Sequence, residues 1–260
     1  GLGDVYKRQA KGRAENTKPY FDLMYETVQS ILAKSGHINH KYLKESESDK
    51  KAVIVVTANR GLAGGYNSNI TRMIIDEGFT KENTVVYAVG KKGRELLERK
   101  GYEIKADYSE AINDPIYKDA KEICDDVLSA FADGEVGEIY LAYTVFKNTV
   151  VHEPQLIRLL PVEADDAAHE TDGSEALMTY EPSEEEALDM IIPKYVCSLV
   201  YGALIESVAS ENGARMQAMD SATSNAEEMI STLSLKYNRA RQASITQELT
   251  EIIAGANAIE

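Results

Sequence analysis

The sequence is short of cations, cysteine and histidine, and each shortage removes a class of function. Its 260 residues hold 28 Lys and Arg against 43 Asp and Glu, a formal net charge of −15. A surface of that sign repels phosphate backbones, so nucleic acid is not an expected partner. The only cysteines, Cys124 and Cys197, lie far apart along the chain, each in a helical pattern. Both are expected as buried small apolar residues, not as a disulfide or a metal pair. His37, His40, His152 and His169 lack any HExxH-type spacing, and no metal is expected. No apolar run approaches the ~20 residues that span a bilayer, and the opening residues do not follow a signal-peptide pattern.

What is present suits one large domain or two unequal parts, with 43% hydrophobic residues, enough for a sizeable core. The opening "GLGDVYKRQ" fits neither helix nor strand and reads as a prefix foreign to the fold, with the natural chain expected to begin upstream. Residues 10–35 follow a helical pattern, with Tyr20, Leu23, Met24, Thr27, Ile31 and Leu32 as its stripe. Between residues 50 and 162, four apolar runs alternate with helical segments: Val53–Val56, Thr84–Gly90, Glu138–Phe146 and the "VVHEPQLIRLLPV" run. Such alternation predicts a Rossmann-like, mostly parallel sheet. The short "KNTV" link predicts a final hairpin, and Pro154 puts its second strand on an edge. Gly101 is expected to close the helix "KKGRELLERK", and Asp114, before Pro115, to cap the next one.

Residues 163–182 are acidic, small and patternless, which predicts a surface loop. Ser183 and Glu186 then form a capping-box pattern, and no loop signal follows to the end of the chain. One long helix over 183–260 is expected, on the order of 110 Å at ~1.5 Å per residue. Its apolar residues step by four and three through Ala226, Ile230, Leu233, Tyr237 and Ala240. After a one-residue phase change they do so again through Ile245, Leu249, Ile252, Ala256 and Ile259. A seam of this kind asks for a partner helix, and the N-terminal segment is too short to cover it.

The stretch "TANRGLAGGYNSN" raises the sharpest chemical question, because a glycine-rich turn between strand and helix is where phosphate-binding loops lie. It carries neither GxGxxG nor GxxxxGK[ST], and its one cation, Arg60, precedes the glycines. Gly61, Gly64 and Gly65 are therefore read as a structural turn that permits positive φ and close approach. Asn59, Asn67 and Asn69 are expected to satisfy backbone groups there, and Tyr66 to anchor the loop. No cofactor and no nucleotide are expected.

Two motifs carry a family resemblance. "YNRARQASITQELTEI", within Ala214–Ala258, closely resembles the C-terminal end of the gamma subunit of F-type ATP synthases, and "TANRGLAGGYNSN" resembles that family's signature after its first sheet strand. "AENTKPY" is similar to the late part of the family's N-terminal helix, whose basic first half is absent here. The resemblance implies a fold in which N- and C-terminal helices form a long antiparallel coiled coil, with the Rossmann-like α/β domain inserted between them. It implies a non-catalytic central-stalk rotor that couples proton flow to ATP synthesis by turning inside a ring of three alpha and three beta subunits. It places Arg241, Gln242, Thr246, Glu251 and Arg215 at contacts with a beta subunit, and Tyr180 and Glu181 near the membrane c ring and the epsilon subunit. It also implies a peripheral position on the cytoplasmic face of a bacterial membrane, or the matrix side of a mitochondrial inner membrane. The regulatory cysteine pair of chloroplast relatives lies in an insert that this sequence lacks. A nucleotide-binding Rossmann-type enzyme is the alternative, with a generic coiled-coil scaffold behind it.

Overall fold

The computed structural model describes residue 23 and residues 40–43, 48–148, 151–162 and 184–257. The expected N-terminal helix falls outside these residues except for Leu23, which is helical, as do the acidic loop, Tyr180, Glu181 and Ser183. The strands are β1 (Lys51–Val56), β2 (Thr84–Val89), β3 (Glu103–Asp107), β4 (Glu138–Phe146) and β5 (His152–Leu160). The helices are α1 (Tyr66–Asp76), α2 (Lys91–Arg99), α3 (Tyr117–Ala132) and α4 (Glu184–Asn257). One five-stranded sheet has the order β3-β2-β1-β4-β5. Its first four strands run parallel, and β5 pairs antiparallel with β4 at the edge, where Pro154 withholds no ladder donor from a further strand.

Both faces of this sheet are covered, which is why β1 and β2 are apolar past their first residues instead of alternating. Successive side chains point to opposite faces. Val53, Val55, Val86 and Ala88 join Ile70, Ile74 and Leu97 of α1 and α2 in one cluster. Ala52, Ile54, Val56, Val85, Tyr87 and Val89 join α3 and the start of α4 in the other. Within α4, Leu188, Ile192, Val196, Val200 and Leu204 step by four and are each 0% exposed. Eighteen residues of α4 are apolar enough to cross a membrane by length and composition, but 61% of that window is buried within the protein, as a core helix is.

Three local readings need correction. β3 was not anticipated, because it alternates exposed and half-buried residues and buries none. The cap of α3 is Ile116, not Asp114: the Asp119 carboxylate accepts the Ile116 N–H at 3.0 Å, so Pro115 lies outside the helix. A short 3-10 turn, Ser109–Ile112, fills the chain between β3 and α3. Gly101 does follow the end of α2 with φ 87°, its N–H bonded to the Glu98 carbonyl at 2.9 Å.

The chain divides into two compact units, Gly1–Met216 and Gln217–Glu260. In the second, the described chain is helix alone, and residues 219–255 are exposed throughout.

Leu204→Ala should lower the unfolding free energy of the sheet unit by about 2–5 kcal/mol, because it opens a cavity in a closed core. Leu233→Ala, at a position 58% exposed, should change it by no more than about 0.5 kcal/mol. Denaturant titration of the two variants, followed by fluorescence and circular dichroism, checks the contrast.

Candidate functional site

In a doubly wound sheet, ligands bind beyond the carboxyl ends of the strands, where neighbouring strands send their crossovers in opposite directions. Here that point lies between β1 and β4, and this chain fills it with its own groups. Thr144 continues β4 past the β1 pairing at Val55 and Ala142. The Ser210 hydroxyl of α4 donates to the Thr144 carbonyl at 3.1 Å. Tyr66, at the start of α1, is 5% exposed and donates its hydroxyl to the Ser207 carbonyl at 3.0 Å. Burial raises the Tyr66 pKa well above a tyrosine's ordinary value, so the hydroxyl stays a donor at any physiological pH.

The helix N-terminus that could hold an anion is likewise occupied. Gly93 N–H at the start of α2 donates to the Thr57 hydroxyl at 2.9 Å. Lys91 N–H donates to the Asn59 side-chain oxygen at 2.9 Å, and Lys92 N–H to the Ala58 carbonyl at 3.0 Å. The Asn59 amide donates onward to the Ser109 carbonyl at 2.7 Å. These donors are the ones a phosphate would take. The open hollow beside them, about 280 Å³, is lined by Lys91 with Asp107, Glu110, Asp119 and Glu122, a charge balance that disfavours an anion.

Close approach does hold this region together, through glycines other than the three in the turn. A Cβ on Gly90, whose φ is 122°, would stand 2.1 Å from the Thr57 carbonyl oxygen. One on Gly93 would stand 2.5 Å from the Thr57 hydroxyl. Within the turn, Gly64 has φ 57°, Gly65 is right-handed with its Cβ position 3.1 Å from Asn69, and Gly61 has nothing within 4 Å. Sequence reasoning missed Gly90 because its constraint comes from Thr57, just past the end of β1 and 33 residues earlier in the chain. Asn67 is placed as expected, accepting the Ala58 N–H at 2.9 Å.

Arg215 belongs to this first unit. Its guanidinium pairs with Glu211 at 2.5 Å and reaches the Gly61 carbonyl at 3.4 Å, while Ala214 packs on Ala58, Ala63 and Tyr66. The structure thus engages Arg215 in holding the turn to α4. Leu62, at the tip of the turn, has φ 62° and is 77% exposed.

Arg241, Gln242, Thr246 and Glu251 lie in the second unit, all exposed. At ~100° per residue they do not share one face. Arg241 and Gln242 flank the stripe of Ile245, Leu249 and Ile252 on its two sides, Thr246 lies beyond Gln242, and Glu251 faces away. The Thr246 hydroxyl donates to the Gln242 carbonyl at 2.8 Å, and Glu251 accepts from Gln247 at 3.0 Å. Ile245 is 48% exposed, Leu249 55% and Ile252 68%. Among the described residues no cluster of three or more potential metal ligands occurs.

A doubly wound five-stranded sheet and one helix of 74 residues define the class, an α/β protein with a long C-terminal helix. Solved chains of this fold come from rotary ATP synthases. A chain of the Euglena gracilis mitochondrial ATP synthase OSCP/F1/c-ring assembly matches with TM-score 0.61 at 19% identity, covering 100% of this chain and 95% of that one. One of the Tetrahymena thermophila mitochondrial ATP synthase central stalk and c-ring matches with TM-score 0.57 at 22% identity, covering 86% and 100%. A family model described as ATP synthase matches residues 5–259. The ATP synthase gamma chain of Lachnoclostridium phytofermentans is 66% identical, over 99% of this chain and 91% of that one. The sodium-ion-specific ATP synthase gamma chain of Acetobacterium woodii is 41% identical, over 97% and 89%. The chain belongs to the ATP synthase gamma-chain family.

Gly90→Ala should cost about 3 kcal/mol or more, since both its φ and the Thr57 carbonyl oppose a Cβ. Gly61→Ala should stay within about 0.5 kcal/mol of the parent. Thermal unfolding of both variants decides it, and equal losses would remove Gly90 from this role.

Proposed function

We propose that this chain is the central-stalk rotor subunit of an F-type ATP synthase, without an active site of its own. It would turn within a ring of three alpha and three beta subunits, bind the epsilon subunit and the membrane c ring, and transmit ion flow to ATP synthesis. The observation that carries this reading is the pairing of a filled nucleotide crevice with a long helix whose outer part exposes an apolar stripe. Family membership supports it, since the relatives are ATP synthase gamma chains. The coupled ion is the proton in our reading, and the Acetobacterium relative's name makes sodium the specific rival. The c ring would hold this chain as a peripheral protein on the cytoplasmic face of a bacterial membrane.

Arg241 and Gln242 are the residues proposed to meet a beta subunit, with Thr246 and Glu251 beside them. A planar guanidinium at the edge of an apolar stripe can make directional bonds to carboxylates while the stripe makes non-directional contact. Arg215 is proposed for a beta contact too, through donors left over from Glu211. Tyr180 and Glu181 are the proposed c-ring and epsilon contacts, at the entry to α4. These roles predict that Arg241→Ala with Gln242→Ala in the assembled complex weakens coupling or assembly. A lost charged hydrogen bond is worth about 1.5–3 kcal/mol, a factor of about ten or more in an equilibrium. Single-molecule rotation and ATP-driven ion pumping test this. A rise in the KM for ATP alone, with rotation and assembly intact, sinks the assignment.

The rival, a nucleotide-binding enzyme, is separated by calorimetry. Titration of the folded chain with ATP, ADP or NAD should give no stoichiometric heat. A micromolar signal abolished by changing Gly64 or Gly65 would revive the rival.

A further inference from the structure

The two cysteines, 73 positions apart in sequence, meet in space. On α3, Tyr117, Lys121 and Cys124 recur at four and then three residues and so share one face. On α4, Cys197 and Tyr201 are one turn apart. The rings of Tyr117 and Tyr201 meet edge to face with centroids 5.8 Å apart. Two turns along α3 from Tyr117 and one turn along α4 from Tyr201, the thiols of Cys124 and Cys197 hydrogen-bond each other, and the Tyr117 hydroxyl also bonds to Cys197. Cys124 is 1% exposed and Cys197 3%, in the same apolar cluster, and no disulfide joins them.

We propose that Cys124 and Cys197 are a modification site, a thiol pair that a hydroperoxide oxidises to a disulfide tying α3 to α4. The two thiols are unlike. The Cys197 thiol is held below its ordinary value, first by the hydrogen bond from Cys124 and then by the Tyr117 hydroxyl and the nearby Lys121, which together outweigh its burial. Cys124 is pushed up by the same bond and by burial. Cys197, which lies under the half-exposed Tyr117 ring, is the thiol a peroxide reaches first, and Cys124 is the proton donor beside it. Access comes from the Tyr117 side, where the ring over Cys197 is 44% exposed and belongs to the first turn of α3. A small peroxide needs only a local opening there, which suits a hydroperoxide better than a bulky disulfide oxidant.

The step balances with hydrogen peroxide. The Cys197 thiolate attacks one peroxide oxygen, the O–O bond breaks, and hydroxide leaves, giving Cys197 sulfenic acid. The Cys124 sulfur attacks the Cys197 sulfur, the S–S bond forms, and the S–O bond breaks. Oxygen leaves as water with the Cys124 proton, and hydroxide takes up the proton that Cys197 lost. Two thiols are oxidised to one disulfide while one peroxide becomes two waters. The closed ring contains β4 and β5, so oxidation ties the edge of the sheet into a covalent loop of 73 positions. This inference does not depend on the rotor assignment.

The experiment treats the full chain with hydrogen peroxide, quenches it, unfolds it and alkylates it with N-ethylmaleimide before mass spectrometry. Untreated protein should carry two maleimides. Oxidised protein should carry none, with a mass about 2 Da below the reduced chain and a peptide linking Cys124 to Cys197. Its thermal midpoint should rise by several degrees and return on reduction with dithiothreitol. In Cys124→Ser the oxidation should stop at a Cys197 sulfenic acid that dimedone traps. If that variant does not fold, Cys124→Ala serves in its place, and the mass of the parent chain still decides. Two maleimides after treatment, sulfinic acid on Cys197 with Cys124 still alkylated, or a disulfide between two chains would each overturn the proposal.

Discussion

The sheet unit depends on one ladder of side chains, Leu188, Ile192, Val196, Val200 and Leu204, which closes the face that α3 alone cannot cover. The crossovers through α1 and α2 cover one face of the sheet, and only α3 returns on the other. A parallel sheet left open there would expose the even-numbered residues of β1, at about 25 cal/mol for each Å² of apolar surface. Because the ladder sets where α4 lies, it also sets where the following turn arrives. Ser207 and Ser210 reach the carboxyl ends of β1 and β4, where Tyr66 and Thr144 bond to that turn. The filled crevice is thus a consequence of core packing, and the anion-binding donors of α2 are consumed by the same tightening around Thr57.

Much of this was legible in the sequence, and what was not has identifiable physical causes. The β-branched runs at Val53–Val56 and Thr84–Val89 announced buried parallel strands because both faces of the sheet needed apolar cover. The β4–β5 hairpin was legible from a short link and Pro154. β3 was not, since an edge strand with one partner and no buried side chain leaves no hydrophobic period to find. Asp114 looked like a cap by residue type, but the cap of α3 depends on Asp119 reaching backward, which composition cannot reveal. Gly90 and Gly93 matter only because Thr57 arrives from another strand, and the Cys124–Cys197 meeting is likewise invisible before the helices pack.

The outer part of α4 teaches the opposite lesson, because there the sequence pattern is all that organises it. Ile230, Leu233 and Tyr237 are 65, 58 and 66% exposed, and they belong to a stripe that shifts around the helix before Ile245. Helical phase then decides which polar residues border the stripe. Arg241 and Gln242 do, and Glu251 does not, a distinction that residue type and family position leave hidden. The family match reaches from residue 5 to residue 259 and so takes in most of the opening segment that local patterning had set aside.

A crevice filled from within has a thermodynamic consequence. Proteins that bind a nucleotide gain stability with its logarithmic concentration, so their folded fraction and rigidity follow the energy state of the cell. On the proposed reading, a sheet whose phosphate donors are bonded to Thr57, Asn59 and Ala58 would have no such linkage. Its folding free energy would then be the same at any ratio of ATP to ADP. In the proposed assembly, whose other parts would tighten and loosen around nucleotides, this sheet unit would be a component of constant stiffness.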